Sequence, residues 1–321
     1  MSVVSRLAPS PTGLLHVGHA RTFLLAWWSA RSQGGEILLR HEDLDTERSS
    51  QKHASACEQD LKWLGLDWDG PASHQSARSE IFREAAASLA ASGEAYPCVC
   101  TRAEVRTAIA APHASDVTAS YPGTCRGRFE SLDHARRESG REPALRLACP
   151  EGVVDISDGL RGAVQLDPFT DFGDFPITSR DGHAAYHLAV ALDDANQGVT
   201  EVLRADDLLS SCGPQALLQA ALSLPRPKWI HVPLVLNHSG ERLAKRSDSL
   251  SLSAIRAVGV DPCQLVRWLS QSCGLGDLGA VTPEEALPHY ALSKIPLNPC
   301  VLPQDFLPKL CAGELPSKAP A

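Results

Sequence analysis

No stretch of the 321-residue chain approaches about 18 uninterrupted apolar residues, so a membrane-spanning helix is not expected. The opening residues, Met1-Ser-Val-Val-Ser-Arg6, lack the basic start and long apolar run of a secretory leader. Internal repeats and low-complexity tracts are missing too. Positive charge is in short supply: 30 Lys and Arg face 38 Asp and Glu, a formal net charge of −8. Taken whole, that balance argues against a polyanionic partner such as RNA. What is present is an ordinary globular composition, 43% hydrophobic and 21% charged. A chain of this length suits two domains, or one large interrupted domain, and folds without staples. Ten cysteines in a chain where no secretory leader is expected read as reduced, buried thiols or a few metal ligands, and the protein is expected in the cytoplasm.

The shortage of positive charge is local. Residues 96–146 carry eight Arg against six acidic residues, whereas residues 147–210 carry three Arg against twelve. One segment therefore supplies the acidic excess, and a nucleic-acid partner is not excluded.

The first hundred residues alternate strands and helices. Val3 to Ala8 is a short apolar run, followed by the turn Pro9-Ser-Pro-Thr-Gly13 and a helix from about Gly18 to Ser32, stopped at Gly34-Gly35. Glu36 to Arg40 reads as a strand, and Ala54, Cys57, Leu61 and Leu64 form one helix face that stops at Gly65. Ile81, Ala85 and Leu89 form another, stopped by Gly93. Such alternation predicts a parallel sheet. In the middle, Thr101-Arg-Ala-Glu104 is a capping box that opens a short helix ended by Pro112, a loop follows to Ser120, and short strands run to about Thr178. Alternation resumes with strands near Phe175, at Val199 to Arg204 and at Trp229 to Leu236, and helices at Tyr186 to Ala195 and Gln215 to Leu222. Beyond Asn237 the pattern is mainly helical, with starts at Asp261-Pro262 and Thr282-Pro283.

The sharpest local feature is His16-Val-Gly-His19, placed between a strand-and-turn and a helix N-terminus. Two imidazoles there can bind the phosphates of ATP, where helix-end N–H groups also favour negative charge. Gly18 removes a side chain where a nucleobase must come close. The second feature is the loop Gly240-Glu-Arg-Leu-Ala-Lys245-Arg246, whose lysine can follow a triphosphate as it becomes pyrophosphate. The third is Cys98-Val-Cys100 followed by Tyr121-Pro-Gly-Thr-Cys125. Three thiolates at this spacing can hold tetrahedral zinc, but they lack an obvious fourth ligand; His113 and Asp116 are candidates on chemistry alone. Arg126, Arg128, Arg136, Arg137 and Arg141 sit near this cluster and read equally as phosphate contacts or as a solvated charged face.

The pairing of an HxGH turn with a basic lysine loop after the sheet's second half resembles the ATP site of class I aminoacyl-tRNA synthetases. Four blocks are similar to the glutamyl branch of that family, in its order: Arg6-Leu-Ala-Pro-Ser-Pro-Thr-Gly-Leu-Leu-His-Val-Gly-His19, Leu39-Arg-His-Glu-Asp-Leu-Asp45, Arg180-Asp-Gly-His-Ala-Ala-Tyr-His-Leu-Ala189 and Asp193-Asp-Ala-Asn-Gln-Gly198. The resemblance implies an α/β fold: a Rossmann-type nucleotide-binding domain in two halves (1–93 and 179–238), a zinc-bearing insertion (94–178) and a C-terminal helical stem-contact domain with the lysine loop (239–321). It implies that His16, Gly18, His19 and Lys245 bind ATP, with His16, His19 and Lys245 catalytic. It assigns the run Arg6, Leu7, Ala8, Pro9 and Ser10 to a glutamate site, together with Glu42 facing the ammonium and Tyr186 and Arg204. Independently of the family, glutamate has two carboxylates and one ammonium, which two cations and one anion would match. For the metal, the resemblance points to Tyr121 as fourth ligand beside Cys98, Cys100 and Cys125, in a structural zinc site.

The chain stops about where the branch's anticodon-binding region would begin. In this it resembles the branch's short paralogues, which activate glutamate without tRNA and esterify it onto queuosine in the anticodon loop of tRNA(Asp). Val190 stands where glutamyl-tRNA synthetases that discriminate between tRNAs generally have Asn. Arg242 and Ala244 depart from the family's usual Lys and Ser, while Lys245 remains. The expected partners are ATP with Mg²⁺, L-glutamate and queuosine-modified tRNA(Asp), with no membrane and a monomeric state. The alternatives are a truncated glutamyl-tRNA synthetase charging a 3′ end, and a non-catalytic RNA-binding relative.

Overall fold

Strand and helix alternate at the N-terminus of the computed structural model, which describes residues 2–109, 121–243 and 250–316. Strand β1 (Val4–Leu7) leads through the proline-rich turn into helix α1 (Val17–Arg31), and β2 (Glu36–His41) returns parallel to β1. Gly35 makes this return possible, because a Cβ there would lie 2.5 Å from the Val3 carbonyl oxygen. Helix α2 (Gln51–Trp63) is capped by the Ser50 hydroxyl, which accepts the His53 N–H, and ends at Gly65 in the left-handed region. The short β3 (Ser73–His74) adds to β2 in parallel, and α3 (Ser79–Ala91) follows.

Strand β4 (Ala95–Cys98) pairs antiparallel with β5 (Ala144–Leu147), and α4 (Arg102–Ile109) and α5 (Leu132–Ser139) lie between them in sequence. The Thr101–Glu104 capping box forms: Glu104 N–H donates to Thr101 Oγ1 at 3.1 Å, and Thr101 N–H to Glu104 Oε2 at 2.6 Å. The expected loop from Pro112 to Ser120 lies outside the described residues. Next come the hairpin β6 (Val154–Asp158) and β7 (Gly162–Leu166), helices α6 (Pro168–Phe172) and α7 (Tyr186–Asn196), then β8 (Glu201–Ala205), α8 (Cys212–Ala221) and β9 (Lys228–Val232). The C-terminal part holds β10 (Val235–Leu236), α9 (Leu252–Ala257), α10 (Pro262–Ser272), α11 (Pro283–Ala286), β11 (Cys300–Val301, parallel to β10) and α12 (Phe306–Cys311).

The second sheet has the order β7-β6-β9-β8, with β8, β9 and β6 parallel. It joins the first at β1, where Thr200 N–H donates to the Val4 carbonyl and Val4 N–H to the Thr200 hydroxyl, both at 2.9 Å. The result is a Rossmann-type parallel sheet that runs β3-β2-β1-β8-β9-β6, the α/β class the sequence predicts. Three features depart from the sequence pattern. The expected strand from Trp229 to Leu236 is broken into β9 and β10, and β10 pairs with β11 in a sheet of its own. The β6–β7 hairpin, inside the expected insertion, extends the sheet of the chain's second half. Near Phe175 isolated bridges replace the expected strand; Ile177 N–H reaches the Leu145 carbonyl and Leu147 N–H the Phe175 carbonyl, but Leu145 N–H turns to the Thr178 hydroxyl at 2.8 Å and the ladder goes no further.

Helix α1 is buried on most sides, because the sheet covers one face and the C-terminal helices another. Leu24, Leu25 and Trp28 share one core with Leu265, Trp268 and Phe306. Buried Arg21 fastens the two parts, donating from Nη1 to the Pro233 carbonyl (2.8 Å) and from Nε to the Ser272 hydroxyl (3.1 Å). Among the described residues, no helix is long and apolar enough to cross a membrane.

Candidate active site

The sheet changes direction of winding between β1, which continues to β2, and β8 on its other side. A parallel α/β sheet opens its ligand crevice at such a switch, beyond the carboxyl ends of its strands. A cleft of about 390 Å³ lies there, lined by both imidazoles of the HxGH turn, the end of β1, Glu42 after β2, Tyr186 at the start of α7 and Arg204 on β8.

His16 is the N-cap of α1, and the two histidines cap it reciprocally. Gly18 N–H donates to His16 Nδ1, and His16 N–H donates to His19 Nδ1, both at 3.1 Å. The rings stack with centroids 3.7 Å apart. A neutral imidazole whose Nδ1 accepts carries its proton on Nε2, so both rings are set as N–H donors through Nε2. Gly18 has an immediate reason to be glycine: a Cβ would meet the His16 ring at 3.0 Å.

Beside this end of α1 lies a buried ionic cluster. Arg6 Nε stands 3.4 Å from Asp194 Oδ1, and Arg40 Nη2 stands 2.8 Å from the same oxygen and 3.3 Å from Glu42 Oε1. Burial pushes the Asp194 carboxyl up, but Arg40 and Arg6 more than offset this and hold it below its ordinary value. Burial wins at Glu42, whose carboxyl stays above the ordinary range despite Arg40 and Arg6. Arg204 completes the set: three guanidinium groups against two carboxylates around one cavity. The one surplus positive charge complements an anion of charge −1, and Glu42 offers a negative end for an ammonium.

Arg6, Ala8, Pro9, Ser10, Glu42, Tyr186, Arg204, His16, Gly18 and His19 all line the cleft. Leu7 does not; its side chain is wholly buried in the core, on the other face of β1 from Arg6. Lys245 lies outside the described residues. The loop leading to it reaches the cleft mouth, where Arg242 stands 3.5 Å from Asp207. Three groups received no role from the sequence: Arg40, Asp194 and the buried pair His231 and Asp158, joined at 2.7 Å behind Arg204. Arg40 and Asp194 belong to sequence blocks already singled out, which was the signal available.

A second cluster forms between β4 and the turn before α5. The sulfurs of Cys98, Cys100 and Cys125 lie within 4.8 Å of one another, an arrangement able to hold a metal ion. The Tyr121 hydroxyl is 3.3 Å from Cys98 Sγ and 3.4 Å from Cys100 Sγ. His113 and Asp116 lie outside the described residues. Burial pushes the Cys100 thiol up to about 11 and the Tyr121 phenol above its ordinary value, so a bound cation would be needed to ionise them near neutral pH. Arg146 donates from Nε to Cys98 Sγ at 3.3 Å and covers the Tyr121 ring. The nearby arginines are mostly engaged by the protein's own carboxylates: Arg126 by Asp174, Arg128 by Glu138, Arg136 by Asp133 and Glu142, and Arg141 by Glu104.

Residues 2–276 match the family described as tRNA synthetases class I (E and Q), catalytic domain. The chain is 42% identical over 317 residues to a glutamyl-Q tRNA(Asp) synthetase of Nitratidesulfovibrio vulgaris, covering 96% of this chain and 98% of that one. It is 37% identical to a glutamate–tRNA ligase of Azorhizobium caulinodans over 91% of this chain but 62% of the other. In fold it resembles a glutamate tRNA ligase of Elizabethkingia meningosepticum, with a TM-score of 0.82, 24% identity, and coverage of 97% of this chain and 69% of that one.

Proposed function

Since the chain belongs to the class I tRNA synthetases of the glutamate and glutamine group, a family of ligases, we propose that it activates glutamate with ATP, without tRNA, and passes the glutamyl group to queuosine in the anticodon loop of tRNA(Asp). The observation that carries this reading is one cleft combining a capped helix N-terminus bearing two imidazoles with a buried site of surplus charge +1. The first suits a triphosphate, and the second suits glutamate.

In this reading Arg6 and Arg204 hold the substrate's carboxylates and Glu42 its ammonium, with Tyr186 closing one side. Ala8, Pro9 and Ser10 supply the floor, and the Leu7 side chain anchors that floor in the core. A carboxylate oxygen of glutamate attacks the α-phosphorus, the bond to the bridging oxygen breaks, and pyrophosphate leaves. Charge grows on the phosphate oxygens in that step, and Nε2–H groups of His16 and His19 are donors ready to meet it. Gly18 leaves room beside them, and Lys245 serves the departing pyrophosphate. Magnesium bound to ATP would supply further positive charge to the phosphates. A ring hydroxyl of queuosine then attacks the acyl carbonyl and AMP leaves, giving an ester. Similarity across nearly the whole length of a glutamyl-Q tRNA(Asp) synthetase supports this acceptor over a tRNA 3′ end. Cys98, Cys100, Cys125 and Tyr121 would hold a structural zinc ion, pinning the turn before α5 to the end of β4.

The test is glutamate-dependent ATP–pyrophosphate exchange without tRNA, followed by transfer to tRNA(Asp) with and without queuosine. Exchange plus transfer to modified tRNA alone is expected. Equal labelling of both tRNAs would favour 3′-end charging, and no exchange at all would favour a non-catalytic relative.

A further inference from the structure

Arg204 is held from behind by buried groups that have no place among the substrate contacts. Arg204 and His231 are register partners on the parallel strands β8 and β9, so their side chains leave the same face of the sheet. Arg204 Nε–H donates to His231 Nε2 at 3.0 Å, and His231 Nδ1 lies 2.7 Å from Asp158 Oδ2 at the end of β6. Asp158 is itself fixed, because its carboxylate accepts the backbone N–H groups of Leu160, Arg161 and His231. A ring nitrogen that accepts from a guanidinium carries no proton, so the His231 proton sits on Nδ1 and is donated to Asp158. The other outer nitrogen, Arg204 Nη2, lies 3.2 Å from Cys212 Sγ. Arg204 Nη1 is buried and has no hydrogen-bond partner. Two of the three guanidinium nitrogens are thus committed to the scaffold, and the third is left for a ligand.

We propose that His231, oriented by Asp158, is a positioning residue for glutamate: it fixes the Arg204 guanidinium so that Nη1 meets the substrate's side-chain carboxylate. The proposal rests on the assignment of Arg204 to the glutamate site. An arginine without this anchor would populate several rotamers, whereas selection of a carboxylate over a carboxamide needs one donor geometry. Protonating His231 would place Nε2–H against Arg204 and remove the anchor. The charged and titratable groups around the imidazole are Asp158 and Arg161 from β6 and its turn, Arg204 from β8 and Cys212 from α8. Burial pushes the imidazole below its ordinary pKa, with Arg204 adding to that effect against the pull of Asp158. The neutral, accepting form is therefore the one present at physiological pH.

The test is ATP–pyrophosphate exchange with His231→Phe, His231→Gln and Arg204→Gln, each checked by thermal melting. His231→Phe should raise the glutamate KM ~10- to 100-fold, as misplacement of a binding group does. The ATP KM should stay unchanged, and discrimination against glutamine should fall. His231→Gln, which can accept from Arg204 and donate to Asp158, should restore most of the loss. A folded His231→Phe protein with an unchanged glutamate KM, or with ATP and glutamate KM raised alike, overturns the proposal. If Arg204→Gln also leaves the glutamate KM unchanged, the glutamate assignment of Arg204 fails as well. If Arg204→Gln raises it while His231→Phe does not, only the positioning role is lost. Should the phenylalanine variant not fold, ¹⁵N NMR of histidine-labelled wild type decides, with the His231 signals identified by their loss in the glutamine variant. A neutral ring protonated on Nδ1 is expected at neutral pH, and the Nε2-protonated tautomer overturns the proposal.

Discussion

The cleft and the thiol cluster both gather ionisable groups, and they balance charge in opposite ways. In the cleft, Arg6, Arg40 and Arg204 face Glu42 and Asp194, so the protein nearly neutralises itself and leaves one positive charge for a ligand. Around Cys98, Cys100, Cys125 and Tyr121 every donor is an acid, and Arg146 is the nearest cation. The first is built on the strands of a sheet, where register fixes each side chain. The second is built on a strand end and a turn, with only a small core of Tyr96, Val99, Phe129 and Ala135 around it. A self-balanced site holds its shape before ligand arrives, whereas a site of like donors depends on a cation from outside for both charge and shape.

The largest effects should come from unbalancing the cleft. Arg6→Ala removes one cation and leaves Asp194 to Arg40 alone; kcat/KM for glutamate should fall ~10²- to 10³-fold in pyrophosphate exchange. Lys245→Ala should lose as much in the same assay, and a variant keeping more than about a tenth of wild-type exchange would remove Lys245 from the mechanism. Next comes the metal. Metal analysis should find about one zinc per chain in the wild type and almost none in Cys125→Ser, with proteolysis now cutting between residues 98 and 125. Exchange should fall much less than in Arg6→Ala; an equal collapse would mean that the two clusters do not stand independently.

A smaller effect follows from Glu42. Its carboxyl titrates above the ordinary glutamate range, and only the ionised form attracts the substrate ammonium. Glutamate KM should therefore begin to rise at a higher pH, on acidification, than an unperturbed glutamate would cause. Glu42→Gln should give a higher KM with that pH dependence flattened.

The smallest effect tests what a buried carboxylate costs when balance is poor. Asp60 on α2 is fully buried, neither oxygen has a hydrogen-bond partner, and Arg256 on α9 stands 3.4 Å away. Burial pushes its carboxyl up to about 6, so its contribution to stability is present at low pH and is lost as pH rises through that value. Asp60→Asn should raise stability by ~1–2 kcal/mol near pH 8 and by almost nothing near pH 4, read from denaturant melts at the two pH values.

The parts of the site that were legible in the sequence are those written in short runs. His16 and His19 sit three residues apart at a helix start, and the structure makes them a reciprocal cap, which four letters suffice to suggest. The same holds for the Thr101 and Thr282 capping boxes and for the Asp261 cap of α10. Arg40 and Asp194 were not legible as partners, since 154 positions separate them and only the joining of β1 to β8 brings them together. His231 and Asp158 were hidden for the same reason, inside strands that read as ordinary alternation. The fold departed from its periodicity near Phe175, where apolar character promised a strand but Leu145 N–H goes to the Thr178 hydroxyl and only isolated bridges form, and at Trp229 to Leu236, which is split into β9 and β10. The β6–β7 hairpin joined the second sheet through long-range pairing that no local signal marks.

The seam between β1 and β8 also sets the order in which the molecule can assemble. Arg6 meets Asp194 across 188 positions of chain, and Arg204 needs β9 beside it to be anchored. On a ribosome adding ~5–20 residues per second, Arg6 therefore waits ~10–40 s for Asp194 to be made. Until β8 is made, β1 has no neighbour on the side where Thr200 and β8 finally lie. Pairing with β8 covers that edge and sets Arg204 beside Arg6, so the step that removes an aggregation-prone edge is also the step that creates the site.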